Sequence, residues 1–160
     1  ITRSEAATIH RKWLKERRDD YSPQVRRRIE IGLGIPATRY LEALSLRSHH
    51  LQLYNNATFS HCDVVMLPTV GEEAPTLSEL DVGDSDELPQ MLRRLTGYTR
   101  PINYYGLPSI NIPGGFSNNG LPLGFQIIGR PYHEGLLFQM AAAFQHITDY
   151  HKKSPELSGG

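Results

Sequence analysis

With one cysteine and four lysines in 160 residues, this chain has little of the side-chain chemistry on which disulfides, thiolate metal sites and lysine catalysis depend. The lone Cys62 excludes an internal disulfide framework and a multi-cysteine zinc site, and it fits a reducing compartment. Long apolar runs are also missing: none approaches the ~18 residues of a membrane span. The first residues lack the basic-then-apolar order of a secretion signal, and "ITRSEAATIH", with no initiator Met, enters straight into helical text as a piece of something longer does. Neither sign of charge is in excess. Seventeen basic and seventeen acidic residues cancel, so composition points to neither nucleic acid nor an anionic membrane as partner.

What is present is an ordinary globular composition, 39% hydrophobic and 21% charged, enough for one domain and without internal repeats. Residues 1 to 60 read as a helical segment. Ser4 is the expected cap of a first helix with Ala6, Ile9 and Trp13 on its inner face. Ser22-Pro23 starts a second, with Val25 and Ile29 inward and Gly32 as its stop. Pro36 to about Ser60 predicts a long helix that packs on a sheet through Leu41, Leu44, Leu51 and Tyr54, with Arg47 near the margin of that face.

Residues 61 to 147 read as strands plus a closing helix. "CDVVMLPT", 62 to 69, changes period and predicts a central strand covered on both faces, with Cys62 as a buried structural thiol. The acidic text from 71 to 90 predicts an exposed excursion. Strands at 109 to 113 and 123 to 129 are joined by a turn whose positive-φ pair is Asn119-Gly120, which predicts antiparallel pairing. Glu134 to Ile147 is a helix with Leu137, Met140, Phe144 and Ile147 on one stripe, and 148 to 160 is a tail. The order predicts an α/β body with a mixed sheet and flanking helices. Three strands serving four helices make a thin sheet, which reads as part of a larger domain.

Three motifs carry little. "GLGIPA", 32 to 37, echoes a dinucleotide loop, yet it lacks the third Gly, follows a helix and is broken by Pro36, so no cofactor is expected. His49, His50 and His61 have no carboxylate at ligand spacing, so no metal is expected. Asn56-Ala57-Thr58 is a glycosylation sequon inside helical text.

Three further blocks carry a resemblance. "DVVMLPT" at 63 to 69, "TRPINYYGLPSINIPGG" at 99 to 115 and "GLPLGFQIIGRPYHEGLLFQMAAAFQ" at 120 to 145 are, in order and spacing, similar to the C-terminal third of an amidase signature family hydrolase. Upstream, "YSPQVRRRIEIG" and the Tyr40-Leu41 helix are similar to the segment that precedes those blocks, so the resemblance covers nearly the whole chain. It implies a single amidase domain of which residues 1 to 160 are the C-terminal part, acting in the cytoplasm on a small-molecule amide. Family members open amides with a serine nucleophile activated through a second serine and a lysine, beside a Gly-Ser-rich oxyanion loop. That machinery belongs to the missing N-terminal part, and this chain has no such Gly-Ser loop. Its lysines, Lys12, Lys15, Lys152 and Lys153, lie in charged helix or tail text. A base lysine must be desolvated for its pKa to fall toward the working pH, so no catalytic residue is expected here.

The resemblance places Thr99 and Asn103 at the cleft edge, and runs the chain through Gly106-Leu107-Pro108 into the strand that ends at Pro113 and Gly114. Asn103 has a turn-capping role as its alternative. Thr69, just past the first strand, falls where α/β sheets put ligand-facing loops. One of Arg26, Arg27 and Arg28, with Arg28 as the choice, suits bidentate bonding to a substrate carboxylate. The related glutamyl-tRNA amidotransferases hold glutamine with such an arginine and an acidic residue ahead of the Thr99 block. Here that stretch reads "RRLTGY", with Thr96 and no carboxylate, which favours a stand-alone amidase. A non-catalytic binding module is the reading from another class. Uncovered apolar faces at Val64 to Leu67 and Ile110 to Ile112 predict association, with a homodimer among the outcomes.

Overall fold

The computed structural model describes residues 1 to 83 and 85 to 155, in two compact units. Asp84 of the acidic excursion and residues 156 to 160 of the tail lie outside the described residues.

The first unit comprises residues 1 to 53 and 75 to 93. Helix α1 (Thr2–Glu16) begins three residues before expectation: Ile1 is its cap residue, and its carbonyl accepts from Ser4 N–H at 3.0 Å. The buried face is also not the expected one. Ala7 and Leu14 are buried, whereas Ile9 and Trp13 are exposed. The reason is a close backbone approach: Gly32 sits against the Arg3 carbonyl, and a β-carbon there would lie 2.7 Å from Ala7 Cβ. Only two small residues permit that contact, so they choose the face.

Helix α2 (Pro23–Glu30) starts as read, with Ser22 Oγ accepting from Val25 N–H at 3.5 Å and Pro23 in its first turn. Ile29 packs with Ala7 and Leu14, but Val25 is exposed. Gly32 does not stop the helix, since the chain tightens into a 3₁₀ turn over Ile31–Gly34. Helix α3 (Ala37–Thr58) has no fully buried residue, and Leu41 faces solvent. The excursion is only partly loop. Thr76 and Glu79 form a capping box that starts the one-turn helix α4 (Leu77–Leu80), and α5 (Leu88–Thr96) follows.

The second unit comprises residues 54 to 74 and 94 to 160. Its sheet has the order β1-β3-β2, antiparallel throughout, with β1 at Val64–Pro68, β2 at Ser109–Phe116 and β3 at Pro122–Gly129. The helix-and-strand class is as read, and the portion of sheet in this chain is antiparallel. The expected central strand is an edge: β1 pairs only with β3 among the described residues, and Met66 is 66% exposed. Cys62, just before it, is exposed rather than buried, with its Sγ 3.3 Å from the Thr58 carbonyl.

Strand parity gives the sheet two different faces. On one, Ile110, Ile112, Phe125 and Ile127 pack with Leu137 and Ala141 of α7 (Glu134–Ile147). The α7 bounds match expectation, but Met140 and Ile147 of the proposed stripe are exposed, because small Ala141 takes the contact. The other face carries Ile128 and the polar pair Asn111 and Gln126, which are directly opposite each other. At the β2–β3 turn only Gly120 has positive φ, and Asn119 does not. The loop is longer than a two-residue hairpin and closes from Ser117 N–H to the Leu121 carbonyl at 2.9 Å. In the tail segment Tyr150 stacks on Phe144 with ring centroids 6.5 Å apart.

Candidate functional site

Two of the expected wall residues, Thr69 and Thr99, follow backbone carbonyls that meet on the polar face of the sheet at Gln126. Thr69 follows β1, its N–H donates to the Gly124 carbonyl at 3.1 Å, and its hydroxyl donates to Asn111 Oδ1. Thr99 precedes helix α6 (Arg100–Tyr105), with its hydroxyl on the Thr96 carbonyl at 3.3 Å. Asn103 lies one turn along α6, exposed, with its N–H on the Thr99 carbonyl at 3.0 Å. Helix α6 was not foreseen, although Pro101 in its first turn and left-handed Gly106 at its end are standard boundary signals.

Pro113 and Gly114 sit at an irregularity in β2. The register shifts between Pro113 and Gly115, because Pro113 has no N–H for the ladder and Gly114 is the extra residue. A β-carbon on Gly114 would lie 2.7 Å from the Phe125 ring. Arg28 is exposed on α2, in the other unit. Its neighbours Arg26 and Arg27 pair with Asp19 and Asp86 at 3.5 and 2.7 Å.

Residues that the motif reading missed tie the wall together. Gln126, 3% exposed, donates from Nε2 to the carbonyls of Pro68 at 3.3 Å and Tyr98 at 3.2 Å, and accepts at Oε1 from Ser109 Oγ at 3.2 Å. The Tyr98 ring also lies against Gly71, where a β-carbon would come within 2.8 Å of it. Arg94 grips Glu72 through Nε and Nη2, at 2.8 to 3.1 Å. The available signal for Gln126 was a lone amide in the apolar run "GFQIIG", since a buried polar group has to be hydrogen-bonded.

Glu73 fastens the turn of the hairpin. Hydrogen bonds from the Ser117 hydroxyl first, and then from Asn119 Nδ2 at 2.8 Å, hold its carboxyl below the ordinary value of 4.5. A lowered pKa means that this contact is fully present above the ordinary carboxylate range and is lost as pH falls through the folded value. The Asn119 side-chain amide signals are therefore expected to titrate with a midpoint below 4.5, and in Glu73→Gln not to titrate. A midpoint at or above that value in the parent protein would mean that Glu73 does not hold the turn.

A concavity of about 460 Å³ in this unit, bounded by Asn55, Phe59 and Arg130 among others, contains none of the expected residues. Arg130 is committed there to the carbonyls of Phe59 at 2.7 Å and Cys62 at 3.2 Å. We therefore locate the candidate site on the hydrogen-bonded wall. Among the described residues it holds no serine–lysine pair, since all four lysines are exposed.

The Amidase family model matches residues 2 to 138. The chain belongs to the amidase family. Amidase-family relatives match it along nearly its whole length. The A subunit of glutamyl-tRNA(Gln) amidotransferase from Streptococcus equi subsp. zooepidemicus is 36% identical over 163 residues, which span 98% of this chain and 32% of the relative. The chain thus spans about a third of the length of the curated amidase-family relatives it matches. A solved amidase superposes with a TM-score of 0.77 at 27% identity, covering 91% of this chain and 33% of the other. At 21% identity, 6-aminohexanoate cyclic dimer hydrolase shares the fold with a TM-score of 0.82, over 98% and 35%.

Proposed function

We propose that these 160 residues form the substrate-facing wall of an amidase that hydrolyses a carbon–nitrogen amide bond through a serine acyl-enzyme. The observation that carries the reading is the convergence of the Thr69 turn and the Thr99 segment on one buried residue, in a chain whose lysines all face solvent. In the family's scheme the serine attacks the amide carbonyl, the amine leaves, and water releases the acid from the acyl-enzyme. The wall residues Thr69, Thr99, Asn103, Pro113 and Gly114 bound the substrate. The serine, its lysine and the oxyanion donors come from the rest of the amidase domain, which is thus this chain's first partner. The protein acts in the cytoplasm without a cofactor.

A fluorophosphonate probe followed by peptide mapping tests this. The labelled serine is expected outside residues 1 to 160, and a chain of these residues alone is expected to turn over no amide. Labelling of a serine within them sinks the reading. A second reading, the amide-hydrolysing component of a glutamyl-tRNA amidotransferase, is favoured by the relative of that name at 36% identity. Hydrolysis of glutamine in preference to benzamide supports that second reading, and the reverse supports the stand-alone enzyme that Thr96 suggests.

A further inference from the structure

Gln126 stands at the middle of the sheet, on central strand β3, between Leu67 of β1 and Asn111 of β2. Its two N–H bonds go to two carbonyls far apart in sequence, Pro68 and Tyr98. Each carbonyl belongs to the residue immediately before an expected pocket threonine, Thr69 or Thr99. The amide orientation is fixed by its surroundings: turned over, Oε1 would face two carbonyl oxygens, and Nε2 would displace the hydroxyl proton of Ser109. All three hydrogen-bonding positions used are filled, in a residue almost fully removed from water. The backbone of Thr69 is anchored a second time on β3, at Gly124.

We infer that Gln126 is a positioning residue that sets the spacing of Thr69 and Thr99 across the pocket wall, and through it the grip on substrate. The assignment rests on the proposed amidase reading. Its side chain touches no substrate. It acts by holding two separate backbone segments to one rigid strand, which a packing residue of the same size cannot do. Gln126→Met keeps the volume and leaves both carbonyls unpaired, and Gln126→Glu sets a carboxylate against them. Ser109→Ala keeps both N–H donors in place and weakens the bonds they make by removing the partner that orients the amide.

The test is hydrogen exchange followed by mass spectrometry on the full-length protein, with ammonia release from benzamide measured alongside. In Gln126→Met and Gln126→Glu, peptides over 68 to 72 and 98 to 103 are expected to exchange about tenfold faster together, while α7 stays within about twofold. KM is expected to rise about tenfold with kcat within about threefold, as for a lost binding contribution. Ser109→Ala is expected to give the same paired pattern at about a third of the size, and it decides the matter if the Gln126 variants do not fold. Exchange that rises in one segment only, rises equally in α7, or does not rise overturns the assignment, as does an unmoved KM. A parent protein with no labelled serine and no amide turnover sinks the amidase reading instead, and leaves the exchange comparison as a separate result.

Discussion

Ile128→Ala is expected to cost about 4 kcal/mol of stability, the largest effect of any single truncation in the second unit. Ile128 has no exposed surface, and it lies on β3, which is hydrogen-bonded on both sides. Burying an isoleucine side chain contributes about 1.5–3 kcal/mol by transfer from water. A central strand cannot move in to fill the space, so the cavity left behind adds to that loss. Ile112→Ala, on the face packed by α7, is expected close behind, since Ile112 is 1% exposed and sits in the cluster with Ile127 and Leu137. Met66→Ala, on the edge strand, is expected to change stability by less than about 0.5 kcal/mol. Urea melts of the three variants check the order. If Ile128→Ala matched Met66→Ala, the face that carries Gln126 would have to be open to water, and the site as described would not exist.

Gly32→Val is expected to cost about 3 kcal/mol or more, by overpacking and not by loss. The added β-carbon meets the Arg3 carbonyl, and the second atom in its way is Ala7 Cβ at 2.7 Å. Neither is the end of a flexible side chain, so α1 has to shift off the 3₁₀ turn and uncover Ala7, Leu14 and Ile29. Gly34 is the internal control. It is two residues away in the same turn, and nothing lies within 4 Å of a β-carbon built there. Gly34→Ala is expected to be neutral to slightly stabilising, within about 1 kcal/mol, because it restricts only the unfolded chain. Thermal melts by circular dichroism separate the two. Equal behaviour at both glycines would mean that α1 does not rest on this turn.

These two sites also mark what the sequence discloses. Signals that act within a few residues were readable: Ser22-Pro23 starts α2, and Glu134 to Ile147 has the bounds of α7. The same kind of signal was present for α6, in Pro101 and Gly106, but the residues between them were read as the approach to a strand. Which face a helix buries was less legible. The face of α1 follows from a glycine 25 positions from Ala7, and that of α7 from small Ala141 taking the place expected of Met140. Position within the sheet was not legible at all for β1. Val64 to Leu67 have the composition of a covered strand, yet composition does not say how many neighbours a strand has. The expected wall was read as motifs, Thr69 and Thr99 among them, whereas the glutamine that bonds the residue before each was not, since only the folded sheet brings it to both.

The pairing of Val64 with Gly129 also fixes an order of events during synthesis. Among the described residues the ladder of β1 is built on β3, and β3 is made after β1, α4, α5, α6 and β2. At about 5–20 residues per second, the ribosome needs several seconds to pass from one strand to its partner. Throughout that interval Val64, Val65, Met66 and Leu67 emerge as a hydrophobic stretch with no backbone partner from this sheet, while the local helices are already free to form.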